Sequence, residues 1–370
     1  MTKRIIDISP ELERKIWAKI KVGAYSSFDH LVSISLENQL LADEGGQGAW
    51  GLGAPLERTP SLEVEVVPRE QGARVRSRKS GGRPEERTLP PKKLGGPWAA
   101  PPSVVTVPEP ADDRLMGGVL WGQFYRFLPT KSALRVLASS STKSQPSFAL
   151  FKIEATAEAE QVGSALLEMD QSLGRKFGER LSTSFPAADD KSRHRYRAQY
   201  LGYVRTGDGK LEGLLPQLKF VDITRGEGGD VIGITPAGLE FAKIENPLID
   251  QGVAGEGASA FSKTEAEFLL NHIQAKLPAE YEHMRFLAET IRDGISKREP
   301  LNQRMKQFYS EKSMGSSLWS DEHVNTMRAG VTSRLYELGL LERERGADGV
   351  EYGLTELGRK FLGAKPLEAK

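Results

Sequence analysis

The chain has no cysteine among its 370 residues, which excludes disulfides and every thiolate metal site. Histidine is scarce too: His30, His194, His272, His283 and His323 are scattered without ligand spacing, so no metal ion and no cofactor are expected. No run approaches the roughly 18 apolar residues of a membrane span, and Met1-Thr2-Lys3-Arg4-Ile5 lacks the apolar core of a signal peptide. A cytoplasmic, nucleoid-associated chain is expected.

An excess of one charge is also missing. Lys and Arg total 51 against 50 Asp and Glu, a formal net charge of +1, so any contact with nucleic acid must come from local patches. Enzymatic signatures are absent as well: there is no P-loop and no nucleophile elbow. The carboxylate pairs Glu265-x-Glu267 and Asp189-Asp190 stand without a partner His or Lys, or a Gly-rich phosphate cradle, and read as helix N-terminal charges. The expectation is a non-enzymatic protein.

What is there is an internal repeat. Leu215 to Phe241 matches Leu335 to Phe361 without a gap, with identities at Leu215/Leu335, Leu218/Leu338, Arg225/Arg345, Gly226/Gly346, Gly229/Gly349, Gly233/Gly353, Thr235/Thr355, Gly238/Gly358 and Phe241/Phe361. Each copy reads as a helix end, a β-run, a Gly-bounded turn, a second β-run, and Thr-x-x-Gly opening a helix. Both copies resemble the C-terminal part of winged helix-turn-helix domains, as in Leu335-Tyr336-Glu337-Leu338-Gly339-Leu340 through Leu354-Thr355-Glu356-Leu357-Gly358. The first copy departs from that pattern with Lys219 where Gly339 stands. The resemblance implies two winged-helix domains, at 119–250 and 261–367, and most such domains bind DNA, although many serve as protein contacts.

The first 43 residues form a different piece. Lys3 to Ile8 is β-rich, Ser9-Pro10 opens one helix, and Ser26 or Ser27 caps a second. The order "strand, Ser9-Pro10-Glu11-Leu12, helix, Gly23-Ala24-Tyr25-Ser26-Ser27, helix" resembles the ribbon-helix-helix superfamily. So short a piece buries too little core alone, and the resemblance implies an intertwined homodimer through residues 1–43. It also implies that the outward strand residues Lys3, Ile5 and Asp7 touch base edges, with Ser26 and Ser27 at a helix N-terminus holding phosphate. Ile5 and Asp7 suit base reading poorly, so DNA contact and dimerisation alone both stay open for this module.

Residues 44–118 are rich in Gly, Pro and charge without sustained period, which predicts a disordered linker. Between Arg69 and Lys93 the linker holds nine basic residues against three acids, a tract able to follow phosphates without reading sequence.

Two segments carry the candidate chemistry. In 261–367, Ser320 caps a helix whose apolar stripe is Val324, Met327, Val331, Leu335 and Leu338. The opposite face presents Asn325, Thr326, Ala329 and Ser333, flanked by Arg328 and Thr332, side chains suited to approach base edges. With Arg343 and Arg345 in the following hairpin, this is the expected recognition helix. In 119–250, Lys191 to Arg205 is basic, and Tyr196, Tyr200 and Tyr203 are expected to face the core. That leaves Lys191, His194, Arg195 and Arg205 outward for phosphate, with Arg225 on the first hairpin. Glycines and Pro216 allow only a short helix there, about Leu211 to Leu218.

Together these readings predict a mainly α fold with small β elements: a ribbon-helix-helix-like dimerisation module, a disordered linker and two winged-helix domains. The expected function is sequence-specific binding of double-stranded DNA by a dimeric transcriptional regulator. A plasmid replication-initiation or partition protein, and a protein-interaction scaffold of a defence or chromosome-maintenance complex, remain the alternatives.

Overall fold

The computed structural model describes residues 94–110, 119–205, 209–226, 229–252, 259–312, 320–346 and 349–363. The 1–43 module, with Lys3, Ser26 and Ser27, and the basic tract 69–93 lie outside the described residues.

Among the described residues the fold is mostly helical, 55% helix, with small antiparallel strand pairs. The elements in chain order are α1 (Leu128–Ser140), α2 (Phe148–Ser172), a 3-10 turn (Phe177–Glu179), α3 (Asp190–Tyr196) continued by a π turn (Arg197–Leu201), β1 (Tyr203–Val204), β2 (Leu211–Glu212) and α4 (Leu214–Gln217). Next come β3 (Val221–Gly226), β4 (Gly229–Ile234), α5 (Pro236–Lys243), α6 (Lys263–Lys276), α7 (Pro278–Arg292), α8 (Arg298–Glu311), α9 (Asp321–Glu337), β5 (Leu341–Gly346), β6 (Gly349–Leu354) and α10 (Glu356–Gly363).

The repeat extends beyond the matching letters. Helices α1 and α7 start at Leu128 and Pro278, and α2 and α8 at Phe148 and Arg298, each pair 150 apart, while the hairpins start at Val221 and Leu341, 120 apart. In each copy the residue before the second helix bridges the returning strand, Ser147 to Val231 and Lys297 to Glu351. The fall in offset means that the first copy carries 30 extra residues between the start of its second helix and its hairpin. They lengthen α2 to 25 residues against 14 in α8 and supply the 3-10 turn and α3. The expected short helix at Leu211–Leu218 is present as α4, with Leu211–Glu212 drawn instead into β2 against Tyr203–Val204.

Identical letters make identical contacts where the chain turns. Thr235 and Thr355 accept from the amides of Gly238 and Gly358 at 3.1 and 3.0 Å, and their hydroxyls donate to the carbonyls of Lys219 and Gly339 at 2.9 and 2.7 Å. A Cβ on Gly238 would fall 2.4 Å from the Phe220 carbonyl oxygen, and one on Gly358 2.1 Å from that of Leu340. Each Thr-x-x-Gly therefore packs a capped helix against the backbone ahead of its hairpin. Lys219 adopts φ 57° where Gly339 adopts φ 72°, so the lysine takes the left-handed turn at a steric cost glycine does not have.

All described residues fall within one compact unit, 89–370, around one continuous core containing Phe127, Phe151, Phe220, Phe241, Met284 and Leu335. Segments 119–250 and 261–367 thus share a core rather than each closing its own. A buried ion pair strengthens the joint, Lys131 of α1 meeting Glu265 of α6 at 2.7 Å, while Arg135 holds Asp250 at 2.5 Å within the first segment. The linker expectation also needs correcting at its end. Residues 94–110 pack on this unit, with Gly95 donating to Ile249, Val105 to Ser141 and Val107 to Ile234. Val107 fills the space left by the missing side chain of Gly233, where a Cβ would lie 2.2 Å from its Cγ1. The apolar Leu94, Trp98, Val104 and Val107 explain the packing.

Candidate nucleic-acid interface

Helix α9 forms as its letters require. Ser320 accepts from the His323 amide at 3.2 Å, Asp321 and Glu322 occupy the first turn, and the stripe Val324, Met327, Val331, Leu335 and Leu338 is buried. The second face, expected to be open, is covered by residues 119–127. Gly122 donates to the Met327 sulfur at 3.0 Å, and a Cβ on Gly330 would meet the Gly122 carbonyl oxygen at 2.2 Å. The close approach is made at Gly330, which is not one of the side chains read as facing a DNA groove.

Two predicted contacts are therefore corrected. Arg328, 5% exposed, donates to Asn302 and Asn325 at 2.8 and 2.9 Å, and Thr332, 1% exposed, donates to the Arg328 carbonyl at 2.8 Å. Both are buried. Asn325, Thr326 and Ser333 are half-buried. Thr326 donates to Glu322 at 3.0 Å, and the Ser333 carbonyl accepts from Arg126 at 2.9 Å.

Buried charge locks the covering loop down. Arg334 pairs with Glu280 at 2.7 Å, both fully buried, and also donates to the Trp121 and Phe124 carbonyls. Glu280 in turn accepts from the Leu120 amide at 3.0 Å. Burial alone would raise Glu280, yet Arg334 and His283 hold its carboxyl below the usual carboxylate range. Glu337 accepts from the amides of Phe127 and Leu128 at 2.5 and 3.1 Å and so caps α1, which has no side-chain cap of its own. Burial pushes the Glu337 carboxyl up to about 7, against the pull of Arg126 and of the two amides.

The first copy presents a different surface. Asp189 caps α3 by accepting from Ser192 at 2.8 Å, and Tyr196 and Tyr200 stack at 5.5 Å in the core. Lys191, His194 and Arg195 consequently face outward as predicted, exposed and without an ion-pair partner among the described residues. The intervening Arg193 turns inward to Glu160 at 2.8 Å. Arg225 is exposed on β3, opposite Asp230. Lys152 of α2, pulled down by burial and then by Arg197 of the π turn, also feels Asp230 of this hairpin. Both are half-buried: Arg197 donates to Thr156 Oγ1 at 3.0 Å, and the Lys152 ammonium lies 4.4 Å from the Phe148 ring centroid.

Two expectations fail here. Tyr203 is 38% exposed rather than core-facing, and its hydroxyl donates to Glu212. The other oxygen of Glu212 holds Arg205 at 2.7 Å, so the charge of Arg205 is spent locally. The cross-strand pairing of Tyr203 with Glu212 brings these groups together, a contact outside the helical periodicity used to place them.

On the second hairpin, the Arg343 guanidinium lies 4.3 Å from the Tyr336 ring centroid and donates to the Gly178 carbonyl and to Ser333 Oγ. Arg345 stands 3.5 Å from Glu179. Both arginines predicted to face DNA thus meet the 3-10 turn of the first copy. No family model, curated protein or solved structure matches the chain. Among the described residues no helix is long and apolar enough to cross a membrane, and no group of three or more His, Asp or Glu is placed to hold a metal ion.

Proposed function

We propose that this chain is a non-enzymatic double-stranded DNA-binding protein that contacts phosphates mainly through the first repeat. One observation carries the reading: Lys191, His194 and Arg195 stand exposed on one helix without carboxylate partners among the described residues, and the hairpin of the same repeat exposes Arg225. Exposed basic side chains on a helix, with a further one on a hairpin, are the electrostatic footprint of a backbone-tracking protein, even at a net charge of +1. The order helix, bridge, helix, hairpin, twice over, suits a fused pair of winged-helix units. Within this reading the second unit braces the first, and base discrimination by α9 is no part of it. Action as a regulator on the nucleoid, dimeric through residues 1–43, completes the proposal; a replication or partition role would use the same face on repeated sites.

The test is binding of a random-sequence duplex at low and high salt. The triple variant Lys191→Ala, His194→Ala, Arg195→Ala is expected to weaken binding at low salt and to flatten the log–log salt slope by about 2 to 3, at roughly 0.9 per phosphate contact. An unchanged slope would sink the assignment. A protein-contact role is the second reading, favoured by Leu150 and Ile153, 48% and 58% exposed one turn apart on α2; absence of duplex binding at every salt concentration would select it.

A further inference from the structure

Three guanidiniums converge where the second hairpin meets the first repeat. Arg343 of β5 and Arg126 of the loop ahead of α1 both donate to the Gly178 carbonyl, Arg126 at 3.1 Å, and Arg345 meets Glu179 at 3.5 Å. Arg343 also donates to Ser333 Oγ at 3.3 Å, and Arg126 to the Ser333 carbonyl at 2.9 Å. Arg126 is 4% exposed, and Arg343 Nε is buried without an acceptor.

The charges in this cluster do not balance locally. Among the described residues no carboxylate forms an ion pair with Arg126 or Arg343. Glu337, which influences Arg126 at longer range, spends both oxygens on the amides of Phe127 and Leu128. A peptide carbonyl offers two guanidiniums a partial charge, where a phosphodiester would offer a full negative charge and paired oxygens. The cluster is chemically an anion site filled by a weaker acceptor.

The group that fills it comes from the 30 residues that the first copy has and the second lacks. The chain on either side is tied down independently of the arginines: Asp170 accepts from the amides of Leu181 and Ser182 and from the Ser182 hydroxyl, and Arg175 N donates to the Asp170 carbonyl. The Phe177–Glu179 turn between these ties is closed on itself, Glu179 N donating to the Lys176 carbonyl at 2.8 Å. It presents to the hairpin a carbonyl and a single carboxylate.

We propose that Arg126, Arg343, Arg345 and Ser333 form a second phosphodiester-binding site for duplex DNA, and that the Phe177–Glu179 turn occupies it as an intramolecular stand-in which DNA must displace. The nature of the ligand rests on the DNA-binding reading above; the residues and the occupant do not. The turn sets a threshold: the first repeat engages DNA freely, and the second hairpin engages it only when phosphate outcompetes Gly178 and Glu179.

The experiment uses the full chain and a random-sequence duplex. Glu179→Gln removes the one carboxylate while keeping the shape of the turn, and it is expected to raise low-salt affinity several-fold and to steepen the log–log salt slope by about 1. Adding Arg343→Ala and Arg345→Ala should abolish that gain, whereas in the wild-type background the same pair should change affinity little. Equal binding by wild type and Glu179→Gln, a gain that survives loss of both arginines, or no duplex binding by either protein would overturn the proposal. A gain that persists when Lys191, His194 and Arg195 are all alanine supports it independently of the first site. Binding by Glu179→Gln with none by wild type would sink the first-repeat reading and leave this one standing. Amide hydrogen exchange at residues 176–180 should quicken at saturating duplex in wild type; unchanged exchange counts against displacement.

Discussion

The two copies of the repeat agree in their turns and diverge in their third helix. In the second copy α9 runs unbroken for 17 residues and is enclosed on two faces. In the first copy the matching stretch is broken into a strand pair and the four-residue α4, while the 30 extra residues ahead of the hairpin include a basic helix on the surface. The pairing of positions shows how. Buried Arg334 and Glu337 of α9 stand where the first copy has Leu214 and Gln217, also buried. Charge at those two places binds residues 119–128 across α9; the apolar and amide residues of the first copy recruit nothing of the kind. A shared backbone plan therefore need not produce a shared functional face.

The sharpest way to break the comparison is to give the second copy the first copy's residue at its most buried charge. Arg334→Leu leaves Glu280 buried without its partner, and the expected loss is about 3–5 kcal/mol in unfolding free energy by denaturant titration. A loss below about 1 kcal/mol would mean that the ion pair does not secure the loop.

Next in size is the pH response of Glu337. Its folded pKa of about 7 lies above the ordinary glutamate value, so the folded state holds this proton more tightly than the unfolded chain does. The associated stability is fully present below the unfolded value near 4.3, and is lost as pH rises through about 7. Glu337→Gln, which installs the residue of the first copy, should remove this dependence. The difference in unfolding free energy between wild type and variant should shift by about 3 kcal/mol between pH 4 and pH 8, at about 1.4 kcal/mol per pKa unit. A pH-independent difference would show that the amides of Phe127 and Leu128, with Arg126, keep the group ionised throughout.

The smallest effect sharpens the likeness instead. Lys219→Gly should stabilise the protein by about 0.5–1 kcal/mol and Gly339→Lys should cost about the same, because both positions sit at positive φ. Opposite shifts in melting temperature are expected; shifts of the same sign would deny that the two turns are equivalent.

Much of this was legible in the letters because it depends on near neighbours. The hairpin registers, the threonine caps, the α9 stripe and the outward set Lys191, His194 and Arg195 follow from periodicity and from contacts within a few residues. The cover over α9 was not legible, since Gly122 and Gly330 lie far apart in the chain and small residues suit a groove-reading helix and a tightly packed one equally. Nor was the neutralisation of Arg205 by Glu212, which needs the β1–β2 pairing. The packing of residues 94–110 hid behind a composition rich in Gly and Pro, with too few apolar residues to show a period.

The sequence by itself determined the repeat, its turns and which helix carries unpaired positive charge, because capping, left-handed turns and amphipathic periodicity are local properties of the chain. Only the tertiary structure decided which arginines face solvent and which are already held. Arg328, Arg334 and Arg343 carry the same charge as Arg195, and what separates them is the segments folded against them from about 30 to more than 200 residues away.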